Sequence, residues 1–189
     1  MFEQLEKYLS ERAIFSTSEL ERISSKFDFE KVSRNSILLG FEDVSQHYYF
    51  INSGCLRLFT INNDGIETSR YFAFENMFCT ALPSFIDQKP ACEYMEAIEK
   101  SELLKISRVD FYKLVNEFSQ FDKIYREILE LGFITAQQRI YGFQGFNALE
   151  KVKWVIKNQP TFLLRVSNKM AASYLGISPA TLSRTKAKL

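Results

Sequence analysis

The chain has 189 residues, 46% apolar and 15% aromatic, with a net charge of +1, which is ample material for a buried core without covalent staples. No apolar run approaches the roughly 18 residues of a membrane span, and the opening MFEQLEKYLSERAIF is charged rather than signal-like, so a cytoplasmic protein that enters no membrane is expected. Cys55, Cys79 and Cys92 are odd in number and lack CxxC spacing. They predict neither a disulfide framework nor a zinc or iron–sulfur site, only buried or idle thiols.

In chain order, Phe2, Leu5 and Leu9, then Ile14, Phe15, Leu20 and Ile23, carry helical spacing and predict short opening helices. From about 27 to 107 the texture is β-branched and aromatic, in runs 37–39, 47–51, 55–61, 66–74 and 94–106, which predicts an antiparallel β domain. In FTINNDGIETSRYF, Asn63, Asp64 and Gly65 are expected to supply positive φ to a hairpin turn, and Asn52-Ser53-Gly54 marks another reversal. A short helix is predicted over 108–118 and a long one over about 121–144. The long helix has two apolar stripes, Phe121, Ile124, Ile128 and Leu131, and Tyr125, Leu129, Ala136, Ile140 and Phe143. Either one face packs on its own domain and the other on a second copy, or the helix is wholly buried in a monomer. Gly142 and Gly145 weaken its end and mark a candidate hinge. Asn147 with Glu150 resembles a capping box for a helix ending before Pro160, and Trp154 within it suits core packing.

Residues 151–189 hold eight basic residues and no acidic one, a charge of +8. The first 150 hold 16 basic against 23 acidic residues, −7. Such a segment either meets a polyanion or is a solvated basic face. The segment SNKMAASYLGISPATLSRTKAKL, residues 167–189, favours the first. Ala171 and Ala172 allow a close helix crossing, Gly176 allows a left-handed turn, and Ile177 fills the space beneath it. Ser178 and Pro179 begin a second helix whose Leu182 faces inward. This is the pattern of a helix-turn-helix, although a purely structural helical hairpin shares its glycine and alanines. Candidate DNA-binding residues are Ser167, Lys169, Ser178, Pro179, Ala180, Thr181, Ser183, Arg184 and Lys188. Thr181, Ser183, Arg184 and Lys188 are expected to project outward, Arg184 toward guanine or phosphate, with Ser167 and Lys169 on phosphate.

FINSGCLRLF, SELLKISRVDFYKL and SYLGISPATLSR, in this order, make nearly the whole chain resemble the CRP/FNR family of bacterial transcription regulators. The resemblance implies an α+β fold: an N-terminal antiparallel β-roll of cyclic-nucleotide-binding type, a long dimerisation helix, and a C-terminal helix-turn-helix domain of winged-helix type. The expected boundaries are 1–120, 121–146 and 147–189. It further implies a non-enzymatic, sequence-specific regulator whose partners are double-stranded DNA, a second copy of itself and RNA polymerase. Members that bind cyclic nucleotides carry Gly-Glu and Arg-Ser pairs in the roll. Here Thr80-Ala81 and Ala91-Cys92 stand at those places, leaving an anionic phosphate without a charged partner, so cyclic AMP is not expected. No cysteine precedes Cys55, which argues against an iron–sulfur cluster. Ala180 replaces a common base-reading Glu, Thr185 replaces a usual apolar residue, and Leu189 leaves little room for a wing. The competing readings are a signal-binding or scaffold protein with a degenerate DNA-binding end, and a thiol hydrolase using His47, for which no nucleophile or orienting acid is evident.

Overall fold

A computed structural model describes residues 1–188; Leu189, the last residue of the expected helix-turn-helix segment, lies outside the described residues. The opening helices are α1 (Glu3–Ser10) and α2 (Thr17–Ser24). Ser16 begins α2 with a capping box: its hydroxyl accepts from the Glu19 amide at 3.3 Å, and the Glu19 carboxylate accepts from the Ser16 amide at 2.7 Å. The strands follow as β1 (Asp28–Val32), β2 (Ile37–Leu39), β3 (His47–Ser53), β4 (Leu56–Ile61), β5 (Glu67–Ala73) and β6 (Phe78–Cys79). After a short helix, α3 (Leu82–Asp87), come β7 (Tyr94–Ala97) and β8 (Ser101–Ser107). They form two four-stranded sheets, ordered β1-β8-β3-β6 and β2-β7-β4-β5.

Three details depart from the expected strands. The run 94–106 is two strands, broken where the chain comes against Gly54: with φ at +99° and a hypothetical Cβ only 2.1 Å from Ser101 Oγ, that position admits only glycine. β1 escaped the periodicity argument because DFEKV carries charges at three of its five positions. At the β4–β5 turn Gly65 alone takes a positive φ, and Asn63 and Asp64 do not. The Asn62 side chain shapes this turn instead, its Oδ1 accepting from the Asp64 amide at 3.0 Å and the Ile66 amide at 2.8 Å.

The described residues form two compact units: residues 1–58 with 72–130, and residues 59–71 with the chain from 131 onward. In the first unit the core is aromatic. Tyr48, Phe50, Phe78, Phe85 and Phe111 pack edge-on or tilted, with Tyr48 and Phe111 centroids 4.9 Å apart. α4 (Arg108–Glu117), capped by Ser107 through the Asp110 amide at 3.1 Å, brings Phe111 and Leu114 into this core.

The next helix, α5 (Ser119–Gly145), is continuous through Gly142 and Gly145. Its apolar residues divide along its length rather than around its circumference, which corrects the two-faced expectation. Phe121, Ile124 and Tyr125 are buried in the first core with Ile128 and Leu129 against it, whereas Leu131, Phe133, Ile134, Ile140 and Tyr141 are exposed. Both sequence stripes therefore begin in one core and emerge from it.

The second unit continues with α6 (Ala148–Asn158), α7 (Phe162–Arg165), α8 (Asn168–Leu175) and α9 (Pro179–Lys186). Asn147 caps α6 as expected: its Oδ1 accepts from Leu149 and Glu150 amides at 2.9 and 3.1 Å, and Glu150 accepts from the Asn147 amide at 2.8 Å. Val152, Val155, Phe162, Val166, Ala171, Ala172, Tyr174, Leu175 and Leu182 are among its buried apolar side chains, and Trp154 is half-buried.

Candidate nucleic-acid interface

α8 begins at Ser167, whose hydroxyl accepts from the Met170 amide at 3.3 Å. It ends at Gly176, where φ of +62° lets the Ile177 amide donate back to the Ala172 carbonyl at 3.1 Å. Ala171 and Ala172 are completely buried, as is Leu182 of the following helix, so the two helices cross over methyl groups rather than longer side chains. α9 starts abruptly because Ser178 accepts from the Thr181 amide at 3.1 Å and Pro179 occupies the first turn.

Burial on α9 dictates what it presents to solvent. Leu182 and Thr185 face inward, and Pro179, Ala180, Ser183, Arg184 and Lys186 are exposed, together with Lys188 just beyond the helix and Ser167, Lys169 and Ser178 nearby. The apolar position occupied by Thr185 is not left with an unmet hydroxyl: Oγ1 donates to the Thr181 carbonyl at 2.8 Å, one turn back. Thr181 departs from the outward expectation. It is half-buried, its hydroxyl 2.8 Å from Ser178 Oγ and 3.5 Å from an Arg184 Nη, because the cap draws it back toward the helix start. Asn168, which sequence reasoning did not single out, ties the two helices. Its Nδ2 donates to the Pro179 carbonyl at 3.1 Å and to Ser183 Oγ at 3.2 Å. The only hint in the sequence is its place beside the Ser167 cap.

Of the candidate ligand residues of the β domain, Thr80, Ala81 and Ala91 are buried within their own chain. Thr80 is buried, its hydroxyl 2.9 Å from Ser45 Oγ and 2.9 Å from the His47 carbonyl it donates to. Ala81 starts α3, and Ala91 exchanges backbone hydrogen bonds with Glu42 and Asp43; both are buried, and Cys92 is exposed. The carbonyls at the end of α3 are also bound: Gln88 Nε2 donates to Phe85 at 3.1 Å, and Arg108 donates to Phe85 at 2.7 Å and to Ile86 at 3.3 Å. The only cation between Phe78 and Glu93 is the exposed Lys89, and the buried Arg57 of β4 is paired with Glu96 at 2.8 Å. These residues offer a cyclic phosphate no arginine at the loop, and the one loop cation, Lys89, is exposed. His47 lies on β3 with its ring 6.2 Å from Tyr49; burial, aided by the Lys105 charge, holds its pKa below the usual value. No group of three or more His, Cys, Asp or Glu among the described residues could hold a metal ion, and no described helix is long and apolar enough to cross a membrane.

Residues 29–118 match the cyclic nucleotide-binding domain family. Among solved structures, FixK2 from Bradyrhizobium japonicum superposes with a TM-score of 0.76 at 16% identity, covering 86% of this chain and 84% of that one. A Eubacterium rectale protein described as a transcriptional regulator of the CRP/FNR family gives 0.68 at 16% identity, with 92% and 83% covered. The chain carries the CRP/FNR fold. The Thermus thermophilus catabolite activator protein shares this fold with a TM-score of 0.56 at 20% identity, over 93% of this chain and 84% of that one. No curated protein sequence matches. Within the CRP/FNR fold the β domain, the long helix and the C-terminal helix pair stand in the order that the motifs FINSGCLRLF, SELLKISRVDFYKL and SYLGISPATLSR implied.

Because Thr185 is buried with an internally satisfied hydroxyl, Thr185→Val keeps its shape and should change unfolding free energy by less than about 1 kcal/mol. Thr185→Asp, which buries a charge, should lower it by several times that amount. Urea unfolding measures both, and equal effects of the two would show that the position is not buried.

Proposed function

We propose that the chain is a homodimeric, sequence-specific DNA-binding transcription regulator of CRP/FNR type that works without cyclic AMP. The observation that carries this reading is the exposed face of α9. Arg184 and Lys186 are exposed on it, Lys188 is exposed just beyond its end, Lys169 is exposed on α8, and residues 151–188 contain no acidic side chain to neutralise them. A recognition helix that buries Leu182 and Thr185 can lay this face in a major groove, where a guanidinium pairs with guanine O6 and N7 or with a phosphate. The exposed N-caps Ser167 and Ser178, with Lys169 and Lys188, suit phosphate contacts that set register, and Pro179, Ala180, Thr181 and Ser183 line the turn of α9 that enters the groove. RNA polymerase is the partner through which such a protein acts on transcription. Catalysis forms no part of the reading: of the structures of like fold named above, one is described as a transcriptional regulator and another as a catabolite activator protein.

The dimer follows from the emergent half of α5. Leu131, Phe133, Ile134, Ile140 and Tyr141 expose five large apolar side chains within eleven residues, more than a solvated helix tolerates singly. The same half-helix of a second copy is the apolar surface that matches it, and a two-fold pairing sets two recognition helices one DNA turn apart.

Two experiments test the reading. Titrating wild type and Arg184→Ala against a selected site and a scrambled duplex should show a loss of about 1 to 3 kcal/mol on the selected site if Arg184 meets a base, or equal losses on both if it meets phosphate. Millimolar cyclic AMP should leave the wild-type affinity unchanged. No loss on either duplex removes Arg184 from the interface, and a marked response to cyclic AMP overturns the ligand argument. In light scattering, Ile134→Glu should convert dimers to monomers at micromolar concentration, since it leaves the first core untouched, whereas Ile128→Glu would also disturb that core. A wild type already monomeric under those conditions contradicts the dimer.

A further inference from the structure

In the second compact unit three elements meet at one cation. Arg139 of α5 donates through Nη1 to the Arg70 carbonyl of β5 and through Nη2 to the Tyr174 carbonyl of α8, the latter at 3.4 Å. Its guanidinium carbon lies 4.1 Å from the Tyr174 ring centre and 5.0 Å from that of Phe143. Beside it, Ser173 Oγ of α8 accepts from the Ser69 amide at 3.1 Å and lies 2.8 Å from Ser69 Oγ. Tyr174 sits in the last turn of α8, where carbonyls lack helical partners and carry the negative end of the helix dipole, so the guanidinium serves that helix as a C-terminal cation. Arg139 is the only cation between Arg126 and Lys151, and nothing in its helical spacing requires one there.

We infer that Arg139, together with the Ser69–Ser173 contact, is a positioning device that fixes the direction of the α8–α9 pair on the C-terminal half of α5. The inference rests on the DNA-binding reading above and adds what sets the recognition helix in place. The device grips α8 at Ser173 and at the Tyr174 carbonyl, while Pro179, Ala180, Ser183 and Arg184 remain exposed, so it holds the helix pair without covering the face that meets DNA. Burial, and secondarily the charge of Arg70, depress the Arg139 pKa, yet a guanidinium stays charged. Its Nε is buried with no acceptor among the described residues. A half-buried guanidinium whose Nε already lacks an acceptor depends on the two carbonyls that its Nη atoms reach, so losing either weakens the grip.

A dimer binding two half-sites needs its recognition helices at one separation, whereas a single half-site makes no such demand. With the full chain, Arg139→Gln and Ser173→Ala should each weaken binding to a duplex carrying both half-sites at least tenfold. Binding to a duplex with one half-site should change less than twofold, and the variants should accept altered half-site spacings that wild type rejects. Equal losses on both duplexes, or none on the two-half-site duplex, overturn the inference. Hydrogen exchange supplies a readout independent of DNA: the Ser69 amide should be protected in wild type and exchange faster in both variants. An unprotected Ser69 amide in wild type overturns the device whatever the DNA result. If wild type binds neither duplex, the DNA-binding reading fails, and the exchange of Ser69 alone decides whether the grip exists.

Discussion

Ala171, Ala172 and Leu182 are completely buried where α8 and α9 cross, and the outward chemistry of the basic segment depends on that crossing. Methyl groups at the crossing let the helices approach closely, Gly176 turns the chain in a conformation that other residues adopt with strain, and Ser178 with Pro179 fixes where α9 begins. With the start and the inward residues fixed, helical periodicity leaves Arg184 no direction but outward. Longer side chains at 171 and 172 would push α9 away, and the exposed cations would no longer lie on one ordered face. Asn168 reinforces the same geometry from outside, reaching the Pro179 carbonyl and Ser183.

The opposite end of the chain shows how a ligand-binding fold can be closed from within. Ser45, Thr80, Ser84 and Gln88 satisfy one another and the loop carbonyls around α3: the Ser45 amide donates to Ser84 Oγ at 3.0 Å, and Ser84 Oγ donates to the Lys89 carbonyl at 2.6 Å. Donors committed in this way are not free for a ligand anion, and no arginine lies in the loop to attract one. Displacing them would leave buried polar groups unmatched, a larger penalty than the hydrogen bonds gained. The domain thus keeps the architecture of the cyclic nucleotide-binding domains it resembles while its loop is held by neutral hydroxyls and amides.

Much of this was legible in the sequence because it depends on local rules. The capping box at Asn147, the glycine and caps of the helix-turn-helix, the inward Leu182 and the absence of acidic residues after Glu150 are all readable within a few positions. What escaped has non-local or compensating causes. β1 is a charged strand recognisable only through its pairing with β8. Thr185 looked like a flaw because its backbone acceptor, the Thr181 carbonyl, is invisible to residue type. Thr181 looked outward because periodicity ignores the pull of a cap. The two stripes of α5 suggested two faces, but burial changes at residue 131 along the helix, a boundary set by where the first core ends. Arg139 was present as the one cation in the C-terminal half of α5, yet its partners are carbonyls of Arg70 and Tyr174, 69 and 35 residues away, and no local pattern points to them.

The central claim, that the exposed basic face binds duplex DNA, is tested most directly by the salt dependence of binding to random duplex. Neutralising phosphates releases counterions, so the logarithm of the association constant should fall linearly with the logarithm of salt concentration, with a slope of about −0.9 for each phosphate contacted. With Arg184, Lys169, Lys186 and Lys188 exposed, a dimer engaging them should give a slope of several units, and Lys169→Ala should make it shallower. Absence of binding at low salt, or an affinity indifferent to salt, would contradict the account.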